Sequence, residues 1–358
     1  MIYDSSVQIN GREIGIGKPA YFIADIAANH DGDLSRAIGL IHLAKESGAD
    51  AAKFQHFQAK SIVSDFGFKA LGGQQSHQST WEKSVYDVYQ AASVDLSWTE
   101  KLVEACNSVG IDFFTSPYSP ELVDFVSPYV PAFKIGSGDI TWIEQIEHVA
   151  TKGKPVLIAA GASTTDDVVR AVEATLKHNR QVVLMQCNTN YTASLENFRY
   201  VQLNVLKTFS SMYPGMTLGL SDHTPGHSTV LGAIALGATV IEKHFTDDKS
   251  RTGPDHKFSM SPEDWIEMVT RSRELELALG TGVKQVEDNE LETVVLQRRC
   301  IRSARDLSVG DVVTLDDVEI LRPCPEDGLP PFRLGQLLDK RVARRVVYGD
   351  VIKITDLY

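Results

Sequence analysis

The chain has 358 residues, 43% of them hydrophobic, with 35 Lys and Arg against 47 Asp and Glu and a formal net charge of −12. This length predicts two domains, or one large barrel with an appendage, and the apolar content is ample for a large core. The negative balance argues against nucleic acid as a partner, and it requires an anionic substrate to be held by a local positive site.

Cys106, Cys187, Cys300 and Cys324 form no CxxC pair and no disulfide ladder. That usage fits a reducing cytoplasm. The first residues lack a basic and apolar signal pattern, and no apolar run approaches the length of a membrane span. A cytoplasmic protein without a membrane partner is therefore expected.

Residues 7–16, centred on Asn10 and Gly11, read as a β-hairpin. Strand-like and helix-like patterns then alternate. The strands are expected near 21–27, 51–55, 112–115, 132–135, 156–160, 182–186, 217–220 and 239–243. The helices are expected near 34–46, 95–109, 120–127, 141–152, 165–178, 200–210, 228–236 and 262–279. Eight strand–helix units in this length predict an α/β fold, a (β/α)8 TIM barrel. A doubly wound sheet is the second choice, but no Gly-rich dinucleotide loop follows the first strand.

The connection over 56–93 is too long for a simple turn. It follows the second strand, on the C-terminal face, so it reads as a lid or as an inert surface insertion. After Gly280 the pattern changes. We expect a barrel with its hairpin over 1–285, a linker over 286–297 and a small domain over 298–358. The last of these carries 11 Lys and Arg against 10 Asp and Glu. Gly310-Asp-Val-Val-Thr-Leu-Asp-Asp317 is echoed by Gly349-Asp-Val-Ile-Lys-Ile-Thr-Asp356, which suggests a pseudo-symmetric β fold. About 60 residues fold only marginally alone, so this domain is expected to pack on something.

Chemistry in a barrel belongs at the C-terminal strand ends. The first strand ends in Asp25, Asn29 and His30, the second in Lys53 and Gln55, which share a face. The third ends in Thr115 and Ser116, the fourth in Lys134, Ser137 and Asp139. The fifth brings Ala159, Ala160, Gly161 and Ser163, the sixth Cys187, Thr189, Asn190 and Tyr191. On the seventh Ser221 and His223 share a face, and on the eighth Glu242 and His244 do. Two histidines at adjacent strand ends can share a divalent ion, with Glu242 orienting an imidazole or a water. The alternative is a pair of hydrogen-bonded core histidines. Lys53 and Lys134 with Ser137, Ser221 and glycine-opened backbone make a phosphate-sized anion site. Lys53 can instead be a carboxylate-paired barrel lysine, or Lys53 or Lys134 a Schiff-base lysine as in aldolases. Cys187 reads as a buried, inert core residue.

Several ordered motifs carry a family resemblance. Ala24-Asp-Ile-Ala-Ala-Asn-His30, Lys53-Phe-Gln55, Lys134-Ile-Gly-Ser-Gly-Asp139, Gly219-Leu-Ser-Asp-His-Thr224, Ile241-Glu-Lys-His-Phe-Thr246 and Gly253-Pro-Asp255 resemble the sialic acid synthase family. Arg302-Ser303, the Gly-Asp turns and Arg322-Pro323 resemble the antifreeze-like (SAF) domain of those synthases, a β-clip. The resemblance implies a phosphoenolpyruvate-dependent, C–C bond-forming transferase. Its acceptor is an open-chain N-acetylated hexosamine, either N-acetylmannosamine or a diacetamido-trideoxyhexose, and its products are a 2-keto-3-deoxy sugar acid and phosphate.

By the same resemblance Mn²⁺ or Mg²⁺ sits on His223 and His244 and polarises the aldehyde. Lys53, Lys134, Ser137 and Ser221 hold the enolpyruvate, with Asn190 or Thr189 adding a polar contact. Gln55, Ser116, Asp139, Tyr191 and Asp255 belong to substrate binding, and Glu242 and Asp25 to catalysis. A domain-swapped homodimer is implied, with Arg322 completing the partner's site; the alternative is a surface Arg322 paired with Glu326 or Asp327. Five positions depart from the family: Asp25 and Asp139 where Glu is usual, Ala159-Ala160 for Ser-Thr, and Thr192 for Pro. A Schiff-base pyruvate aldolase, or a catalytically degenerate binding or assembly protein, are the alternatives to a synthase.

Overall fold

A short hairpin opens the first unit: β1 (Ser6–Ile9) and β2 (Arg12–Gly15) turn at Asn10 and Gly11, both left-handed. The barrel strands follow as β3 (Tyr21–Asp25), β4 (Ala51–His56), β5 (Asp112–Pro117), β6 (Phe133–Ile135), β7 (Val156–Ala159), β8 (Val182–Cys187), β9 (Thr217–Asp222) and β10 (Ala238–His244). All this is seen in a computed structural model that describes residues 2–72, 78–79 and 81–358. Parallel ladders run in the order β5-β4-β3-β10-β9-β8-β7-β6, and β6 lies beside β5, so the ring is nearly closed. The (β/α)8 expectation holds, with the strands within a residue or two of their predicted spans.

Alternation along the strands loads both faces. Tyr21, Ile23, Ala51, Phe114, Leu157, Val183, Met185 and Val240 form the interior cluster, and Val7, Ile9 and Ile14 of the hairpin join it. The hairpin therefore packs on the apolar end of the barrel interior. Phe22, Ala24, Ala52, Phe54, Ile158, Leu184 and Ile241 face outward into the larger cluster under the helices. Moving along each strand toward its C-terminus, the inward residues change from apolar to polar: Ile23 to Asp25, Ala51 to Lys53, Phe114 to Ser116, Val240 to Glu242.

The helices are α1 (Leu34–Glu46), then α2 (Ala59–Ile62), α3 (Asp65–Ala70) and α4 (Val85–Ala92) inside the long β4–β5 connection, then α5 (Thr99–Val109), α6 (Pro120–Val126), α7 (Ile143–Ala150), α8 (Thr165–Leu176), α9 (Val205–Met212), α10 (Ser228–Ala235) and α11 (Pro262–Leu279). Local chemistry sets their starts. Asp33, Ser119, Thr164 and Ser261 each cap a first turn through the side chain, and Pro follows the cap in α6 and α11. The helix expected over 200–210 is instead a 3₁₀ segment (Leu195–Tyr200) followed by α9, with Gln202 at φ 53° interrupting the path. The long connection over 56–93 contains three helices; residues 73–77 and 80, at its centre, lie outside the described residues.

The second unit spans Thr281–Tyr358. It contains α12 (Leu291–Gln297) and an antiparallel pair, β11 (Cys300–Ser303) and β12 (Val318–Leu321), around a core of Ile301, Leu307, Val313, Leu337, Val342, Val346 and Ile352. The sequence echo is structural. Asp317 accepts from Thr314 N at 2.8 Å and binds Arg305 at 2.6 Å; Asp356 accepts from Lys353 N at 3.0 Å and binds Arg344 at 2.5 Å. Gly310 and Gly349 are left-handed in both copies. Among the described residues no helix is long and apolar enough to cross a membrane.

Gly219 shows how tightly the interior is filled. A Cβ there would sit 2.7 Å from the Val240 carbonyl oxygen and 2.9 Å from Met185 Cγ. Replacing it with Val should cost about 1–3 kcal/mol, read as a lower urea midpoint. An unchanged midpoint would mean that the β9–β10 contact yields easily.

Candidate active site

The polar ends of the barrel strands surround a cavity of about 450 Å³. Asp25, Lys53, Gln55, Ser116, Lys134 and Ser137 line it, as do Asp139, Tyr191, Ser221, His223, Glu242, His244 and Asp255. Asn190 does not. Its carboxamide oxygen accepts from Thr192 and Asn197, and the neighbouring Thr189 lines the cavity instead. Arg322 lies in the second unit and is exposed; Asp327, one of its expected surface partners, is taken by Lys353.

Parallel register explains the convergence. Asp25 is paired with Lys53 on one side and with His244 on the other, and Ser221 is paired with Glu242. The result is an alternating belt of charge. Lys53 Nζ lies 2.5 Å from Asp25 Oδ2 and 3.9 Å from Glu242 Oε2, and Lys134 Nζ lies 3.1 Å from Glu242 Oε1. Ser221 Oγ donates to Glu242 Oε1 at 3.0 Å, while Glu242 Oε2 is buried without a hydrogen-bond partner. Burial works against every charge in this belt, and the neighbours decide the outcome. For Lys53 burial is outweighed by Asp25 and Glu242, which hold the ammonium above its ordinary value. For Glu242 burial is outweighed by Lys134 and Lys53, which hold the carboxyl down. For Asp25 burial prevails over Lys53, and with the Glu242 charge it pushes the carboxyl up.

The two histidines stand beside this belt, ring centroids 5.4 Å apart, with Tyr191 and Phe258 packed against both. His223 Nδ1 lies 2.9 Å from the Asn188 carbonyl oxygen and donates there; burial works against its charge, but Cys187 and that carbonyl hold the imidazole above its ordinary value, so a metal at Nε2 would displace a proton. His244 Nδ1 is buried without a partner. Burial, reinforced by His223, Lys53, Lys134 and Lys243, holds the His244 imidazole well below its ordinary value, in the neutral form that binds metals. These two nitrogen donors fit a divalent ion. Among the described residues no group of three or more His, Cys, Asp or Glu converges as ligands, so the remaining positions would fall to water or substrate oxygens.

An anion cradle adjoins the belt. Gly161 N donates to Ser137 Oγ at 3.1 Å, and a Cβ on Gly161 would lie 2.0 Å from Thr189 Oγ1 and 2.7 Å from Ser137 Oγ. Only glycine leaves room for both hydroxyls here, and Thr189 Oγ1 is buried without a hydrogen-bond partner. Ser163, which might have replaced the usual serine, is spent on the Ala160 carbonyl oxygen. Asn29, His30 and His56 are hydrogen-bonded in the framework, to Phe245 and Ser259, to Gly32, and to Thr115 and Thr99. Cys187 is buried as expected, but its thiol meets His223 and Ser137. Burial would raise it; those hydrogen bonds and Lys134 bring it below its ordinary value.

Sequence reasoning missed the roof. Phe57, Ile62, Gln78, Trp81, Val88 and Tyr89 of the long connection line the cavity, together with Tyr118. Their only sequence signal was the length of that connection. The long connection thus forms part of the cavity wall.

Comparison with known proteins gives a consistent picture. The NeuB family model matches residues 40–284, and the SAF domain model matches 298–357. The N,N'-diacetyllegionaminic acid synthase of Legionella pneumophila is 34% identical over 355 residues, covering 97% of this chain and 98% of that one. The human N-acetylneuraminate-9-phosphate synthase is 31% identical over 343 residues, 96% of this chain and 94% of that one. Among solved structures, the N-acetylneuraminic acid synthetase of Leptospira borgpetersenii, determined with citrate, superposes with a TM-score of 0.71 at 26% identity, covering 82% of this chain and 96% of that one.

Asp139 tests the electrostatics of the site. Burial alone pushes its carboxyl up to about 6, whereas in an unfolded chain it titrates near about 4. Between those values the folded protein keeps a proton that the unfolded chain has released. Stability therefore falls as pH rises through this window, and the whole penalty is present above it. Asp139→Asn should be more stable than the parent at pH 8, on the order of 1–3 kcal/mol, and equal to it near pH 4. Urea unfolding at both pH values checks this; the same difference at both would contradict it.

Proposed function

The chain belongs to the NeuB family, and on that premise we propose that it condenses phosphoenolpyruvate with an open-chain N-acetylated hexosamine to give a 2-keto-3-deoxy sugar acid and phosphate. The observation that carries this reading is the buried belt of Lys53, Lys134, Asp25 and Glu242 at the floor of the cavity, beside a hydroxyl cradle and two histidines. An acidic chain that keeps two lysines buried at one site is equipped to take a small polyanion there.

Lys53 and Lys134 bind the carboxylate and phosphate of the enolpyruvate, with Ser137, Ser221 and Thr189 fixing their oxygens. The aldehyde of the sugar faces His223 and His244. These would hold a divalent ion, Mn²⁺ or Mg²⁺, which when bound supplies electrophilic polarisation of the aldehyde oxygen. Carbon 3 of the enol forms a bond to the aldehyde carbon, whose oxygen takes a proton to become a hydroxyl. Carbon 2 is left electron-poor, and water adds there. Glu242 Oε2, buried and unpartnered, is the acceptor for the proton of that water. Cleavage of the C2–O bond, with the C2 hydroxyl proton leaving on phosphate, gives the 2-keto group, and the proton taken up by Glu242 balances the one gained by the aldehyde oxygen.

Asp139 and Asp255, both with carboxyls raised to about 6 by burial, face the sugar with Gln55 and Tyr191. Near neutral pH such groups exchange readily between accepting and donating to hydroxyl and amide groups. A Schiff-base mechanism is disfavoured. Lys53 is held protonated and Lys134 is ion-paired with Glu242, which removes the lone pair that attack on a carbonyl needs. The active species in this reading is a homodimer in which Arg322 reaches the partner's site, its fork suited to carboxylate or sugar hydroxyls.

Phosphate release from phosphoenolpyruvate, tested against a panel of N-acetylated and diacetamido hexosamines, decides the reaction. One or more sugars should trigger it, and none doing so would remove the reading. His223→Ala or His244→Ala should abolish metal-dependent turnover with little change in melting temperature. Lys53→Met should raise the Michaelis constant for phosphoenolpyruvate strongly; wild-type kinetics in any of these variants would contradict its assignment. For Arg322, mixing Arg322→Ala with His223→Ala chains under subunit exchange should restore activity, because one site of a mixed dimer then carries neither defect. A mixture as inactive as its components would place Arg322 in its own chain's site.

A further inference from the structure

The side chains that alternate with the site residues point away from the cavity, yet they are not solvated. Asp222 sits between Ser221 and His223, and Lys243 between Glu242 and His244; their side chains are 2% and 1% exposed. Lys243 Nζ donates to the Asp222 carboxylate and, at 2.6 Å, to the Thr224 carbonyl oxygen. Asp222 Oδ2 also accepts from Thr229 Oγ1 at 2.7 Å and from Thr224 Oγ1 at 2.8 Å, and Asp222 Oδ1 accepts from Thr224 N at 3.2 Å. Thr229 belongs to α10, so the helix outside the barrel is part of the cluster.

The placement has a consequence for the site. Asp222 and Thr224 flank His223, so the cluster fixes the backbone on both sides of that imidazole. Lys243 fixes the strand that presents Glu242 on one side of it and His244 on the other. Each strand end is thereby tied to its neighbour on the outer face while the inner face carries the chemistry. A buried ion pair is a poor way to gain stability, since both charges lose their water and an apolar pair of similar volume often does as well. It is a good way to define a unique geometry.

We propose that Asp222 and Lys243 are positioning residues that set the spacing and orientation of His223 and His244 for a divalent ion. This rests on the two-histidine metal reading above. The outer pair acts through the backbone of β9 and β10 and touches neither ion nor substrate.

The test separates position from stability. The variant Asp222→Leu/Lys243→Met removes both charges together and leaves no unpaired buried charge, while the Thr224 and Thr229 hydroxyls keep each other as partners at 3.0 Å. Its melting temperature should stay close to that of the wild type, while its Mn²⁺ affinity, titrated by electron paramagnetic resonance, should fall about tenfold or more. Asp222→Leu alone leaves Lys243 unpaired and should melt earlier. Thr229→Val keeps the ion pair, removes one bond to Asp222, and should weaken Mn²⁺ binding severalfold at unchanged melting temperature. Wild-type Mn²⁺ affinity in a folded double variant overturns the proposal; if the double variant does not fold, wild-type affinity in Thr229→Val does so. Failure of the wild-type protein itself to bind Mn²⁺ removes the metal reading and this inference together, and the control is run first for that reason.

Discussion

Four ionised side chains at the bottom of a cavity are the constraint on which the rest depends. Asp25, Lys53, Glu242 and Lys134 are each almost wholly buried, and a single one of them unpaired would be costly. They are tolerated because the parallel register brings them together with alternating sign, each within reach of an opposite charge. The belt is neutral as a set. In the proposed reaction an arriving polyanion would compete with the two carboxylates for the two ammonium groups, so binding would rearrange the belt. Asp25, already pushed toward its neutral form, is the carboxylate that yields most easily.

Everything around the belt serves to keep it dry and aligned. The hairpin and the interior apolar layer close the barrel below it. Tyr191 and Phe258 brace the two imidazoles, and the Asp222–Lys243 cluster ties the same strands from behind. The long β4–β5 connection brings an aromatic and apolar wall over the top. The wall comes from a connection rather than from the barrel strands, so its lining can vary without disturbing the register that holds the charges.

The replacement of the usual Ser-Thr by Ala159-Ala160 is less disruptive than its chemistry suggests. Gly161 lets the Ser137 and Thr189 hydroxyls approach the same point, and its own N–H donates to Ser137. Two hydroxyls and the adjoining Lys134 remain beside the belt without those side chains.

The fold was legible in the sequence because it depends on short-range periodicity. Alternating apolar residues specify strands, 3.6-residue periods specify helices, and eight such units admit few architectures. The catalytic-face residues were legible for the same reason: alternation puts Ser221 and His223, or Glu242 and His244, on one side of a strand. The Gly-Asp echo likewise announced two equivalent turns, each closed by an Asp and an Arg. What the sequence could not determine was anything set by side chains from distant elements. Whether Asn190 or Thr189 enters the cavity depends on a turn in which Asn197 competes for the Asn190 carboxamide. Asn29, His30 and His56 are polar residues at strand ends like the others, and only tertiary packing assigns them to framework hydrogen bonds. The aromatic roof arises from a stretch with no strand period, whose inward face is decided by what it covers. Asp222 and Lys243 stand in the same motifs as the site residues, and one residue of alternation sends them outward, where only the packed helix layer could show that they are buried and paired.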